Sequence, residues 1–339
     1  MTRRRSQPGR RGFSERRFHD WLRAGVRPTP RIPLPVGDDV AAVRWEGRGV
    51  ALLTTDALVE GTHFLSRSSP REIGRATVDA SLSDVASKGG RPVALLLDLL
   101  LPPRTPSSWA QAVVGGAREE VRFWGGELVG GDTKPSGTRA VVGTILAEGD
   151  ADHLVPRSGA RPGDVLLTTG TVGRGGAAAA ALARGPARRG TLRSLLRVEP
   201  RLFEGRVLAR YAHAMLDTSD GLAEAARLLS RESGVRVEVE RDALPVDPAA
   251  GRVPAGPDRE AALFFGGDYE LLAAVPAGRV GAALRAVRRV GGVACAIGTV
   301  REGRGASLVR EGGSVPMPRA GWQPFEWALR RAGASQPPG

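Results

Sequence analysis

The apolar positions of this chain come in short, punctuated runs. Residues 50–54 form a compact apolar run and predict a buried strand. The longest run, residues 93–101, is interrupted only by Asp98 and predicts another. Over 107–124 the side chains of Val113, Val114, Ala117, Val121 and Trp124 recur at helical spacing, predicting a helix with one buried face. A further helix is predicted over 70–88, and strands over 127–129 and 140–147. This first half mixes helices with strands but lacks the regular alternation of a doubly wound sheet.

A Gly- and Pro-rich loop over 156–163 breaks the pattern, and a domain boundary is placed close to it, at about residue 150. The pattern restarts with a strand over 165–169. Helices are predicted over 175–184, 200–211, 221–230, 258–265 and 279–290. Strands are predicted over 235–240, which alternates as a half-buried strand does, 269–275 and 294–300. Residues 1–12 are polar, Arg-rich and predicted to be disordered. Ser14 is placed to cap a helix over 15–24, residues 27–35 form a Pro-rich connector, and the tail over 333–339 is predicted to fray. The organisation is a first domain over 13–150 and a second over 151–332.

The length of 339 residues suits about two domains and a sizeable core. A single cysteine, Cys295, excludes an intramolecular disulfide and a Cys-based zinc site. No run approaches the roughly 18–20 apolar residues of a membrane span. The basic N-terminus has no apolar signal core behind it, so the chain reads as cytoplasmic. Lys+Arg is 49 against Asp+Glu 36, a formal charge of +13. That excess raises nucleic-acid binding as a rival function, one that a steeply salt-dependent affinity would reveal. Only Lys88 and Lys134 are lysines; the arginines are spread along the chain, and the 5% aromatics are not interleaved with them. A solvated Arg-rich surface is the favoured reading.

The aspartates are more informative. They fall mostly at the ends of apolar strands: Gly37-Asp38-Asp39, Thr54-Thr55-Asp56, Gly130-Gly131-Asp132-Thr133, Asp217-Thr218-Ser219-Asp220-Gly221 and Gly266-Gly267-Asp268, with Ser83-Asp84 inside the helix predicted over 70–88. Each alone is an ordinary turn or cap. Six together point to a site, because strand ends gather functional residues and clustered carboxylates stay ionised only beside cations. Carboxylates and threonine hydroxyls, with no Cys or His cluster, suit Mg²⁺, and Mg²⁺ on carboxylates plus phosphate oxygens is a nucleotide arrangement. Neither a P-loop nor the protein-kinase signatures are present.

These motifs, with Gly61-Thr62-His63-Phe64, Arg157-Ser158-Gly159-Ala160 and Asp268-Tyr269-Glu270-Leu271, occur in the order that resembles the thiamine-monophosphate kinase family, within the aminoimidazole-ribonucleotide synthetase superfamily. The resemblance runs from about Phe13 to Phe325. It implies an α+β fold of two mixed α/β domains. The first has a small mixed sheet that pairs in a homodimer; the second is sandwich-like. It implies ATP as co-substrate, several Mg²⁺ ions and thiamine monophosphate as acceptor. Magnesium ligands would be Asp39, Thr54, Thr55, Asp56, Asp84, Asp132 and Asp217, with Asp220 completing the cage. Gly131, Asp132, Arg157 and Ser219 would contact ATP, and His63, Asp268 and Trp322 the acceptor.

Two departures are visible. The family's Gly-Gly-Glu-Asp-Tyr-Glu-Leu has one acidic residue fewer here, so either Gly267 or Asp268 stands where a substrate-contacting Glu belongs. Ala86-Ser87-Lys88-Gly89-Gly90 replaces Ala-Ala-Met-Gly-Ala. The implied reaction is direct γ-phosphoryl transfer to a phosphate that is already ionised, which needs no general base. A relative with a different small acceptor is the alternative reading.

Overall fold

The computed structural model describes residues 15–25, 29–34, 36–45, 49–184 and 189–322. The Ser14 cap and the disorder expected at 1–12 and 333–339 lie outside the described residues. In the first half, helices α1 (Glu15–Gly25), α2 (Pro70–Ser87) and α3 (Ser107–Phe123) accompany strands β1 (Ala41–Trp45), β2 (Gly49–Val59), β3 (Arg91–Leu101), β4 (Glu127–Gly130), β5 (Thr133–Pro135) and β6 (Ala140–Gly149). The strands form one mixed sheet in the order β1-β2-β6-β3-β4, with β5 also on β3. Period-2 alternation sends Val50, Leu52 and Leu58 of β2 inward with Thr54, and puts Leu53 and Thr55 outside.

Helix α2 is the pivot. Ser69 caps it and Pro70 opens it. It packs on β2 and β6, on α3, and on elements of the second half, so it is buried nearly all round. Gly74 of α2 and Gly116 of α3 face each other's helix. A Cβ on either would collide with backbone, at Val113 and Arg71 respectively, so only glycine permits this close crossing.

The second half carries helices α4 (Arg174–Arg184), α5 (Arg189–Leu195), α6 (Leu202–Leu208), α7 (Leu222–Ser233), α8 (Pro248–Gly251), α9 (Pro257–Phe264) and α10 (Val280–Arg289). Its strands are β7 (Asp164–Thr169), β8 (Ala214–Asp217), β9 (Arg236–Glu240), β10 (Leu271–Pro276), β11 (Ala294–Arg301), β12 (Gly305–Arg310) and β13 (Gly313–Pro316). They form one sheet in the order β13-β12-β9-β11-β7-β10-β8. Its strands β7, β8 and β10 are buried on both faces. Leu166, Leu216, Leu272 and Ala274 face a cluster with α7 and α9. Leu167, Met215, Leu271, Ala273 and Val275 face a second cluster that also contains Val85 and Ala86 of α2 and Ile145 of the first sheet. The two halves therefore share one continuous core.

The α+β class is as the sequence predicts, and most elements agree to within a few residues. Three places differ. The strand expected from residue 269 begins at Leu271, because Tyr269 has a left-handed backbone (φ 57°) that no strand accepts. The helix expected over 200–211 shrinks to Leu202–Leu208, continuing as tight turns. The β12–β13 hairpin, with Glu311 and Gly312 at its turn, and the short elements β5, α5 and α8 were not anticipated. No helix among the described residues is long and apolar enough to cross a membrane.

Candidate active site

Four chain segments bring carboxylates to one buried spot. The loop before β1 supplies Asp39, β2 supplies Thr54 and Asp56, α2 supplies Asp84, and the end of β8 supplies Asp217. Oxygens of Asp39, Asp84 and Asp217 all lie within 4.8 Å of one another. Thr54 donates to Asp84 at 2.6 Å, and Ser83 donates to Asp217 at 2.7 Å. Ser87 donates to both Asp39 Oδ2 and the Asp84 carbonyl at 2.7 Å. Helical spacing places Asp84, Ser87 and Lys88 on one face of α2.

The electrostatics of these carboxylates diverge. Burial, then Asp56, Asp217 and Asp39, push Asp84 well above the usual carboxylate range. Burial and Asp217 push Asp56 up to about 6. Burial and Asp39 raise Asp217. Asp39 goes the other way: burial would raise it, but Lys88 and Arg157 beside it hold it well below the usual range. Asp56, Asp84 and Asp217, each raised by burial and by a neighbouring carboxylate, form a pocket of concentrated negative charge. The donor set is hard oxygen only, with the Thr54 hydroxyl at its edge, so a divalent magnesium ion fits the residues present.

Not every candidate joins this group. Thr55 is on the opposite face of the sheet, hydrogen-bonded to Thr144 at 2.9 Å. Asp132 is exposed between β4 and β5, beside Lys134 at 2.7 Å, and its N–H donates to Asp98 on β3. It stands three strand spacings from Asp56, roughly 14 Å along the sheet. Gly131 has a positive φ of 152°, and a Cβ there would strike the Leu97 carbonyl; its glycine is dictated by β3. Asp220 is exposed beyond the end of β8, its carbonyl accepting from the Trp322 N–H at 3.0 Å. Arg157 pairs with Asp39 and donates to the Gly37 carbonyl at 2.9 Å. Asp38 accepts from its neighbour's N–H at 2.8 Å, as a turn-capping residue does, and also from the Arg157 N–H.

Against the aspartates opens a cleft enclosing ≈ 920 Å³ with its solvent-open mouth, lined largely by apolar side chains of α4, the segment through Leu195 and Leu196, and the loops at His63 and Phe265. Three rings gather there: Trp322 lies 5.8 Å from His63 and 5.7 Å from Phe265, centroid to centroid. The Val59 N–H donates to His63 Nδ1 at 3.1 Å, and burial lowers the imidazole's pKa, so His63 is a neutral ring with Nε2 free to donate. Gly267 lines the cleft, whereas Asp268 is turned away. The buried Asp268 carboxylate accepts from the N–H groups of Gly173 and Gly175 at 2.7 and 2.9 Å, at the start of α4.

Sequence reasoning missed Tyr269 and Lys88. Tyr269 lines the cleft, and burial with Asp56, Asp217, Asp220 and Asp84 raises its hydroxyl, which stays protonated where cleft and aspartates meet. Its signal was a bulky residue two positions after a pair of glycines, Gly266-Gly267. Lys88 stands one turn after Asp84, and that spacing was its signal.

The chain matches the family models for AIR synthase related proteins, the N-terminal domain over residues 37–148 and the C-terminal domain over 161–311. It is 42% identical to thiamine-monophosphate kinase of Halobacterium salinarum over 251 residues, 74% of this chain and 83% of the relative. With the enzyme of that name from Mycobacterium tuberculosis it shares 34% over 279 residues, 80% of this chain and 83% of the relative. The solved structure of AaThiL complexed with AMPPCP and TMP matches with a TM-score of 0.78 at 29% identity, covering 91% of this chain and 96% of that one. The E. coli hydrogenase maturation protein HypE shares the fold, at 23% identity and a TM-score of 0.68. The chain belongs to the thiamine-monophosphate kinase family, a group of phosphotransferases with a phosphate as acceptor, built on the AIR synthase related fold.

Proposed function

We propose that this chain transfers the γ-phosphoryl group of ATP to the phosphate of thiamine monophosphate, giving thiamine diphosphate and ADP by direct in-line displacement. The observation that carries this reading is the junction of an aromatic cleft with the aspartate group. Ser219 lines the cleft and donates to Asp217 at 2.9 Å, and Tyr269 lines the cleft within the field of the aspartates. Rings of Trp322, Phe265 and neutral His63 suit a flat cationic heterocycle. A phosphate on that heterocycle would then point at the carboxylates. Several magnesium ions held by Asp39, Thr54, Asp56, Asp84 and Asp217, with Asp132 and Asp220 reached in the complete site, would screen two anionic phosphates from each other. Arg157, paired with Asp39 at rest, would turn to nucleotide phosphate, and the backbone at Gly131 would lie along ATP. Tyr269 would hold the acceptor phosphate with its protonated hydroxyl.

A second copy of the chain is the proposed partner. The outer face of the first sheet exposes Leu53, Leu96, Leu146 and Val129 side by side with Thr55 and Thr144, an apolar wall that a homodimer would cover. An acceptor other than thiamine monophosphate is the second reading, favoured only by the bare Gly267 in the cleft wall. Purified protein with ATP, Mg²⁺ and thiamine monophosphate decides: thiamine diphosphate and ADP should form one to one. ATP turnover that ignores thiamine monophosphate would reject the proposed acceptor.

A further inference from the structure

Of the two lysines, Lys134 is in the open and Lys88 has no exposed side-chain surface at all. Its ammonium group has three N–H donors, and all three are used. They reach Asp38 Oδ1 and Asp39 Oδ2, each at 2.7 Å, and the Met215 carbonyl at 2.8 Å. A lysine this deep is expensive to bury unless every donor is satisfied and its charge is matched. The placement of the three acceptors is more specific than that. Asp39, Asp84 and Asp217, the trio whose oxygens converge, arrive on three separate segments: the loop over 37–39, α2 and β8. Lys88 itself ends α2, grips the loop through Asp38 and Asp39, and grips β8 two residues before Asp217. One positive charge thus ties together the same three segments that a divalent ion would tie together from the other side.

We propose that Lys88 is a resident cation of the aspartate cage, which assembles the three ligand-bearing segments before any metal arrives and competes with that metal for Asp39. The proposal rests on the magnesium reading of the site. Its competing half follows from the contacts: Asp39 Oδ2 is already shared by Lys88 and Ser87, and Oδ1 by Arg157. Arg157 keeps some solvent exposure and can swing away; Lys88 is enclosed and cannot.

The test compares the wild type with Lys88→Gln, which keeps a donor without the charge, and Lys88→Met, which keeps only the apolar stem. Melting temperature is measured in EDTA and in saturating Mg²⁺, without nucleotide, and Mg²⁺ binding is titrated calorimetrically. Both variants should melt well below wild type in EDTA, and Mg²⁺ should restore most of the loss. The Mg²⁺-induced shift should be several times the wild-type shift. Mg²⁺ affinity should be on the order of tenfold tighter in the variants, as for loss of one adjacent like charge. An equal loss of melting temperature with and without Mg²⁺ would reduce Lys88 to a packing tie and overturn the proposal. Absence of Mg²⁺ binding to the wild type would overturn the magnesium reading, and the proposal with it.

Discussion

Asp39 shares its carboxylate between two cations, whereas Asp84 has only the Thr54 hydroxyl and three neighbouring carboxylates. The pH behaviour of the metal-free protein follows. In the folded protein Asp56 and Asp84 are raised above the ordinary aspartate pKa of about 3.8. The folded state therefore binds their protons more tightly than the unfolded state. Their stabilising contribution is full below 3.8 and is lost as pH rises, for Asp56 through about 6. Asp39 has the opposite sign; its contribution is present above 3.8 and lost as pH falls. Asp84→Asn removes a buried charge from among like charges. In EDTA it should stabilise the protein, by on the order of 1 kcal/mol at about pH 8 and by less at about pH 5. With Mg²⁺, ATP and acceptor, the same variant should lose turnover by at least about 100-fold. Thermal melts at both pH values and a thiamine diphosphate assay check the two halves. Destabilisation at the higher pH would contradict the electrostatic account.

Helix α2 carries most of what was readable in advance. Its apolar pattern predicted the element to within a residue, and its Asp84 was legible only as one of the six aspartate motifs. What could not be read was the partner of each polar side chain. Ser83, Ser87 and Lys88 look like surface residues until β8 and the loop over 37–39 close on them. Thr55 shows the reverse limit: beside Thr54 and Asp56 in sequence, it is turned to the other face by strand alternation. The β12–β13 hairpin escaped notice because its strands are short and only Leu308 is deeply buried. Tyr269 escaped because its left-handed backbone depends on tertiary surroundings that propensity does not see. The crossing of α2 and α3 gives a test at this scale. Gly74→Ala should cost about 1–3 kcal/mol in urea unfolding, because the new methyl meets backbone of α3. Gly115→Ala, where only the end of the Arg71 side chain is near, should be neutral or stabilising by up to about 1 kcal/mol.

On the scale of the molecule, the net charge of +13 says little about the chemistry, which lies with the minority charge. The outer face of the first sheet matters more. Leu96→Arg would place a charge in the middle of the apolar wall, next to Thr144 and away from the aspartates. It should convert a dimer into a monomer by light scattering after size exclusion, with the fold kept. A wild-type monomer at micromolar concentration would refute the proposed pairing. In the second sheet alternation was legible only over 235–240, and the burial of β7, β8 and β10 on both faces was not, since that depends on which half comes to rest against them.

That shared core limits how the enzyme can move. Val85 and Ala86 of α2 lie in the same cluster as Met215, Leu271 and Ala273 of the second sheet, with no solvent layer between. Swinging one half away from the other would wet this core, at a cost comparable to partial unfolding. Entry to the cleft is then expected at its rim, where Trp322, α4 and α5 line it, rather than through a hinge between the halves. Motions at such a rim run in nanoseconds to microseconds, far faster than a hinge between domains.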